Sequence, residues 1–478
     1  MVRKERVLVI VAAIAVLVYA RYVYTHQSYA CGGPDSGGYM NEAKLIASGH
    51  ITEPVELVRV LGLDDSWLGY FMPLGFAPSK GGSMHPLYPP GLPMHLAAAG
   101  RIGGWKKAPY LVAPIAAVGC VILMIVVATR LGVPLILSFA GAFAVGMLPP
   151  FLWHAVQPAS DVVAMFWALL AVWFALREWG VAAGIAFAIG VWVRPTNALM
   201  LIPLALAVRV QWRALVAIAA GAAPLVAALM VWNAKLYGSP FRTGYGEISM
   251  TWAGATTAGP QHALWLLLFL TPVVFPCGLL VLFDRKVDMW TRWMLFSWFV
   301  AYFVFYSFYG FWDGWLCIRF LLPAIPALLF GTFLLMRDLA QGRRVTIAIA
   351  AALAIWIAAE PVIYGRKLDV LRTLRTAETA YPQYIAFSER HVPKRAIVMT
   401  GVLCGAYLFY ENRSIVRYDQ LNDDRFQTLR AYSGIHGLPW YAVVSDDELT
   451  PDQLRQRFRG DWELIDHFAS VAIYRLRD

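Results

Sequence analysis

The chain predicts a polytopic α-helical membrane protein of about eleven transmembrane helices, with a structured first extracytoplasmic loop and a small C-terminal extracytoplasmic α/β domain. Three observations predict this. Hydrophobic residues make up 59% of the 478 and charged residues only 15%, against about a quarter charged in soluble domains; mean hydropathy is +0.57. Apolar runs approaching the ~20 residues needed to span a bilayer recur along the chain. The arginines and lysines between those runs alternate by side. The net charge of +10 is therefore a topology signal rather than a nucleic-acid face, because the basic residues lie between spans and not on one amphipathic surface.

The chain starts Met-Val-Arg-Lys-Glu-Arg6 and continues into an apolar run from Val7 to Ala20, which has the look of a secretory signal. The small-x-small site at Ser28-Tyr-Ala30 lies ten residues beyond the run, so the segment is expected to stay as an uncleaved first span. The candidate spans are 7–24, 108–129, 131–152, 161–176, 179–193, 195–208, 214–234, 263–283, 293–311, 320–336 and 345–363. One set of connections holds Arg3, Lys4 and Arg6; Arg130; Arg177; Arg209 and Arg213; Arg285, Lys286 and Arg292; Arg337, Arg343 and Arg344. The positive-inside rule makes that set cytoplasmic and places the protein in the cell (inner) membrane with a cytoplasmic N-terminus. The long loop 25–107, the bends near 153–160 and 194, the segments 235–262 and 312–319, and the tail from about 365 then face outward.

Three central spans offer only 14 or 15 uncharged residues each. Their ends must dip below the headgroups or the bilayer must thin around them. Asp161 and Arg194 therefore fall at or below the outer interface, where ionisable residues are functional candidates. The plain alternative is that Asp161 caps its helix and Arg194 snorkels.

The first loop has structure of its own. Asp35-Ser36 precede Tyr39, Ala43, Leu45, Ile46 and Ala47, closed by Gly49, a pattern for a short amphipathic helix on the membrane surface with Asp35 at its N-terminus. There the backbone N–H groups favour a carboxylate. A second helix is expected from about 91 to 101, after Tyr88-Pro-Pro90. Beyond the last span, short apolar runs at 396–400, 414–418, 440–445 and 469–474 alternate with polar helical stretches such as Thr450 to Arg459, which predicts an α/β domain. The organisation is thus a membrane domain over 1–364, including the first loop, and a C-terminal domain over 365–478.

The outward ionisable residues near membrane level are Asp35, His85, Asp161, Arg194, Arg242 and Arg319. Four are potential anion binders, and arginine's planar fork suits phosphate oxygens. Such a cavity would hold a phosphorylated, lipid-linked ligand beside two acids. Arg242 has a surface turn, and Arg319 interfacial anchoring, as the plainer readings. Trp153, Trp192, Trp252, Tyr302, Tyr306, Tyr309, Trp312 and Trp315 crowd the outer ends as belt or packing residues, a minority of which could stack on sugar rings. Asp64-Asp65, Asp423-Asp424 and Ser445-Asp-Asp-Glu448 lack the periodicity of a calcium loop. Five scattered cysteines form no metal-type pair, and a Cys31 to Cys404 bridge is the one disulfide considered. No phosphate-cradling loop, dinucleotide fingerprint or nucleophile elbow is found, which argues against a primary ATP-driven transporter or a serine hydrolase.

Pro34-Asp-Ser-Gly-Gly-Tyr-Met-Asn-Glu-Ala43 with Ile46-Ala-Ser-Gly49, Tyr88-Pro-Pro-Gly-Leu-Pro93, Gln157-Pro-Ala-Ser-Asp161, Val193-Arg-Pro-Thr-Asn197, Tyr237-Gly-Ser-Pro240 and Arg319-Phe-Leu-Leu-Pro-Ala-Ile-Pro326 resemble the bacterial GT-C superfamily of polytopic glycosyltransferases. The nearest branches are the protein mannosyltransferase and aminoarabinose transferase type. The resemblance covers roughly residues 1–340. It implies transfer of a sugar from a polyprenyl-phosphate carrier to a lipid, glycan or protein acceptor on the extracytoplasmic face, with inversion at the anomeric carbon. Asp35 then matches the first-loop acid, the candidate general base, and Asp161 the second-loop acid that helps shape the site. His85 stands where some relatives carry a basic residue before a proline pair. Two positions depart from the pattern: Ser36 replaces the second acid of the Asp-Glu pair, and His85 is not lysine.

The chemistry fits the residue types. A polyprenyl phosphate leaves readily if the charge building on it is stabilised, as Arg194 and Arg319 could do. The acceptor hydroxyl needs a base within hydrogen-bond reach, and Asp35 is the candidate. A divalent cation shared by Asp35 and Asp161 is left open. The rival readings are a secondary transporter or flippase of lipid-linked glycans, which predicts symmetry between two halves of the chain, and a non-enzymatic membrane scaffold whose outer domain binds a partner.

Overall fold

The computed structural model describes residues 3–246, 258–269, 271–309, 314–339 and 344–477. Trp252, Trp312 and Arg343 lie outside the described residues. The chain divides into two compact units, Met1–Gln27 with Pro89–Leu92 and Tyr110–Thr373, and Ser28–Tyr88 with Pro93–Pro109 and Leu374–Asp478.

The first unit is helical. Its elements are Arg3–Thr25, Val112–Arg130, Leu135–Gly146 with Pro149–Ala155, Ser160–Leu176, Gly180–Val193, Leu201–Ala207, Trp212–Tyr237, Ala258–Phe269 with Thr271–Leu280, Met289–Ser307, a short turn over Gly314–Leu321 followed by Ile325–Leu339, and Arg344–Lys367. Each expected apolar run falls largely on a helix or a broken pair, and the count of eleven spans is not confirmed. Among the described residues two helices, Pro109–Arg130 and Trp212–Tyr237, are by themselves long and apolar enough to cross a membrane, or up to five elements if each bent pair is one span. Proline makes the breaks. Leu148 is extended ahead of Pro149-Pro150, and the two halves of that run bend by 67°. Pro323 interrupts the pair that bends by 76°. A residue before proline is pushed out of the α region, and proline itself lacks the donor that a continuing helix needs.

Much of the apolar surface of this unit faces outward. Ile10, Leu17 and Val18 of the first helix are 58%, 69% and 64% exposed, and Trp212, Val216 and Val231 are 68%, 57% and 56% exposed. Helices so apolar on their outer faces require an apolar solvent, which is the membrane. Packing between helices relies on small residues. A Cβ on Gly184 would come within 2.0 Å of the Ile218 carbonyl oxygen, and one on Gly221 within 2.1 Å of the Val181 carbonyl oxygen, so the Gly180–Val193 and Trp212–Tyr237 backbones touch. That contact anchors the helix whose C-terminal end carries Arg194.

The second unit is α/β. Strands β1 (Glu53–Pro54), β2 (Phe76–Ser79) and β3 (Ser83–Pro86) form an antiparallel sheet in the order β1-β3-β2. Strands β4 (Ile397–Thr400), β5 (Ile415–Arg417), β6 (Trp440–Ser445), β7 (Asp461–Phe468) and β8 (Val471–Arg477) form a second sheet in the order β5-β4-β6-β8-β7. The first three of that row run parallel, and β8 and β7 are added antiparallel. Alternation along the strands sends Ile397, Met399, Ala442, Val444, Ala472 and Tyr474 into one core. Val398, Tyr441, Val443, Val471 and Ile473 enter the other. A sheet covered on both faces needs apolar residues at successive positions, which is why these strands read as continuous runs.

The first core includes Trp67, Phe71, Phe76 and Met84 from the first loop together with Phe426, Trp440, Phe458 and Trp462. Within this unit the first loop is therefore core material. The second core takes Ile385, Phe387 and Val392 from the Val370–His391 helix. The expected helix after Asp35 is present as Pro34–Ala47, but nine of its fourteen residues are buried. It is an interior helix and not an amphipathic one lying on a membrane surface; Asn41 Nδ2, for example, donates to the Gly405 carbonyl at 2.9 Å. The second expected helix is Gly91–Gly103. The helix starting at Thr450 carries a capping box, with Thr450 and Gln453 bonding each other's backbone N–H groups. Cys31 and Cys404 are free and buried.

Candidate functional site

Two clusters of ionisable residues stand out, one inside each unit. In the α/β unit, Gly33 is the residue before the Pro34–Ala47 helix and has no side chain with which to cap it. Pro34 has no N–H to satisfy, and Asp35 and Ser36 follow in the first turn, where backbone donors and the helix dipole favour negative charge. Asp35 is half-buried and accepts a hydrogen bond from Tyr88 Oη at 3.0 Å. The same hydroxyl lies 3.1 Å from the Pro34 carbonyl oxygen. The Tyr88 ring packs on Tyr39 with centroids 4.4 Å apart. A Cβ on Gly38 would sit 2.3 Å from that ring, so only glycine lets Tyr88 reach the carboxylate.

Behind this turn is a second acid. Ser36 Oγ donates to the Glu378 carboxylate at 2.9 and 3.1 Å. Gly32 and Gly33 also bond to it through their backbone N–H groups. Glu378 is 5% exposed. Burial pushes its carboxyl up from 4.5 to about 7, with the nearby Asp35 charge adding to the rise and the bonds from Ser36 and the glycines opposing it.

In the helical unit, Asp161 lies in the first turn of Ser160–Leu176 and is 3% exposed. Arg194 Nη1 meets Asp161 Oδ1 at 2.5 Å. His154 Nε2 lies 3.7 Å from Asp161 Oδ2, while its Nδ1 is 2.8 Å from the Pro150 carbonyl oxygen. A carbonyl can only accept, so Nδ1 carries the proton of that bond. Arg319 joins the cluster: its guanidinium lies 5.0 Å from the Phe320 ring centre and that of Arg194 5.3 Å from the same ring. The turn after Arg194 is held by Tyr302 Oη donating to Asn197 Oδ1 and Tyr306 Oη to Thr196 Oγ1, each at 2.8 Å.

Asp161, Arg194 and Arg319 are thus brought together. Arg242 is exposed on the turn after Trp212–Tyr237. His85 sits on β3 opposite Ala77 of β2, and burial lowers its imidazole, so it is neutral at pH 7. A neutral imidazole offers hydrogen bonds to a phosphate but no charge. Sequence reasoning passed over Glu378, His154 and the Tyr302 and Tyr306 hydroxyls. Tyr88, Thr196 and Asn197 lay within the recognised motifs, and His154 seven residues ahead of Asp161 was the available signal. Among the described residues no three His, Cys, Asp or Glu side chains gather closely enough to hold a metal ion, and Asp161 Oδ1 is engaged by Arg194.

No protein-family model matches this chain, and no curated protein matches its sequence. Solved structures do match its fold. The structure of ArnT from Cupriavidus metallidurans bound to undecaprenyl phosphate superposes with a TM-score of 0.60 at 14% identity, covering 98% of this chain and 97% of that one. The apo form of the same protein gives 0.57 at 14% identity with the same coverage. The apo oligosaccharyltransferase of Archaeoglobus fulgidus gives 0.52 at 12% identity, over 92% of this chain and 70% of that chain. The chain thus shares its fold with these proteins.

Proposed function

We propose that this protein is a membrane glycosyltransferase that moves a sugar from a polyprenyl-phosphate donor to an acceptor hydroxyl on the extracytoplasmic face. The observation that carries the reading is the cluster of buried Asp161 with the half-buried Arg194 and Arg319, set in a fold shared end to end with a protein whose structure holds undecaprenyl phosphate. Two guanidiniums against one carboxylate leave a net positive charge, which suits a phosphate that gains negative charge as the glycosidic bond breaks. Asp161 orients Arg194 and keeps its fork from collapsing onto other acceptors.

In the proposed reaction Asp35 takes the proton of the acceptor hydroxyl, and the hydroxyl oxygen forms a bond to the anomeric carbon. The bond from that carbon to the phosphate oxygen breaks, and its electron pair stays on the phosphate. Attack opposite the leaving group inverts the centre. Asp35 is suited to this role by its place in the first turn of a helix and by the Tyr88 hydroxyl that fixes it. Arg242 and His85 are secondary candidates for the donor phosphate. The reading includes an inner-membrane location with the N-terminus cytoplasmic and residues 365–478 outside.

The test is transfer from a radiolabelled polyprenyl-phosphate sugar in membranes carrying the protein. Asp35→Asn is expected to lower transfer by about 10²-fold or more, the size of a lost general base. Unchanged transfer in that variant removes Asp35 from the role. Movement of the lipid-linked sugar across liposomes without bond formation would replace the enzyme reading with a transporter.

A further inference from the structure

Glu378 is a buried acid to which the reaction above gives no part. It projects from the Val370–His391 helix, 342 residues from its partner in sequence, and its oxygens lie among the donors that open the Asp35 helix. Gly33 has no side-chain cap and Pro34 no N–H, so the segment cannot close its own helix start. Glu378 supplies the missing acceptor through Ser36 Oγ at 2.9 and 3.1 Å and through the Gly32 and Gly33 amides. Gly32 N also donates to Ser36 Oγ at 3.3 Å, which closes the ring of bonds. Tyr381, one turn further along the same helix, lies against Gly32 so closely that a Cβ there would meet its ring at 2.2 Å. On the far side Cys31 N donates to Tyr410 Oη at 3.2 Å.

We propose that Glu378 is a positioning residue for Asp35: as a helix cap supplied from a distant segment, acting through Ser36, it fixes the turn that presents the Asp35 carboxylate to the acceptor. The role rests on the transferase reading above. It also gives the serine at position 36 a purpose, since that hydroxyl links the two acids where a second acid would repel the first.

The groups facing Glu378 are Asp35 and the hydroxyls of Tyr381 and Tyr410. Burial raises both hydroxyls, so they stay neutral through the working range. Glu378 is therefore the acid whose titration the variants address. Glutamine at 378 keeps an acceptor for Ser36 and the amides but cannot ionise; alanine removes the acceptor; aspartate shortens its reach.

The experiment measures kcat and the acceptor and donor KM of purified wild-type, Glu378→Gln, Glu378→Ala and Asp35→Asn protein in lipid nanodiscs across pH 5.5 to 9, with the folded fraction of each measured in parallel. Per folded molecule, Glu378→Ala is expected to lose at least tenfold in kcat with donor KM within twofold of wild type. Glu378→Gln is expected to keep kcat within about threefold at pH 6 and to lose an inflection near pH 7 that the wild type shows. If Glu378→Ala matches wild type per folded molecule, or if the inflection persists in Glu378→Gln, Glu378 is structural only and the proposal fails. If Asp35→Asn is itself fully active, the transferase assignment of Asp35 fails first, and that outcome is separate from the other two.

Discussion

Removing Arg194 while leaving Asp161 is the sharpest perturbation of the helical cluster. The carboxylate is 3% exposed, and the arginine reaches it at 2.5 Å. With charge centres about 4 Å apart and an effective dielectric near 20, the attraction is about 4 kcal/mol. Breaking a buried pair from one side strands a desolvated charge and costs about 3–5 kcal/mol. His154, 3.7 Å from the other oxygen, can take up a proton and relieve part of that. Arg194→Met is therefore expected to cost about 3 kcal/mol. Asp161→Asn costs less, because Arg194 is more exposed than its partner, with 14% of its side chain accessible against 4%. The double variant Asp161→Asn/Arg194→Met loses both charges together, so it should recover about 2 kcal/mol relative to the sum of the singles. SDS-induced unfolding in mixed micelles, followed by tryptophan fluorescence, measures all four proteins. Additive singles, with a coupling below about 0.5 kcal/mol, would mean that the two residues do not act as a pair, and the argument from their geometry would fall. Transfer follows a different pattern under the proposed function. The two variants that lack Arg194 lose it by about 10²–10³-fold, because the phosphate needs the guanidinium and not merely a stable fold.

Two further outcomes test the structure. The raised Glu378 carboxyl ties stability to pH: its folded value of about 7 lies above the unfolded 4.5, so the native state binds the extra proton between them. The stabilisation is complete below pH 4.5, declines as pH rises, and is gone above about 7, a swing of about 3 kcal/mol at 1.36 kcal/mol per unit. The thermal midpoint of wild type relative to Glu378→Gln should therefore fall between pH 5 and pH 8; a difference that does not change with pH contradicts the burial argument. Gly221→Leu drives a side chain into the Val181 carbonyl, which a Cβ alone would approach to 2.1 Å, and is expected to destabilise the helical unit by about 1–3 kcal/mol in the SDS assay, whereas unchanged unfolding would mean that the helix pair can separate freely.

The sequence was most informative where burial or hydrocarbon acts on whole runs of residues. The apolar runs fell on helices because lipid-facing and core-facing positions are both apolar, and four strands of the C-terminal sheet were legible because both of their faces are buried. Strand β7 was not, since only Trp462 of its eight residues is buried and charged Asp461, Glu463 and Asp466 give it the look of a loop. The Asp35 helix was recognised as a helix but misplaced at a surface. Its small residues, Gly37, Gly38 and Ala43, allow neighbours to close on every side, and an apolar stripe counted along the sequence cannot register that. Proline marked where runs break without saying that the pieces turn by 67° and 76°. Glu378 was beyond reach, because a cap given to a helix 342 residues away leaves no local pattern.

The two clusters hold their carboxylates in different ways, and the difference matches what each would be asked to do. Asp161 is faced by two guanidiniums, with Arg194 in contact and Arg319 sharing the Phe320 ring, and by the His154 imidazole beyond. A carboxylate so placed holds guanidiniums in position. Asp35 accepts from the Tyr88 hydroxyl at a helix N-terminus, with a second acid, Glu378, behind it. The Tyr88 hydroxyl and the helix start hold it in place, and under the proposed function it takes the proton of the acceptor hydroxyl. A base and a phosphate clamp need these two environments, and substituting one for the other would disable both. Exchanging the charge at one cluster, as in Arg194→Met, should therefore not be rescued by any change at the other.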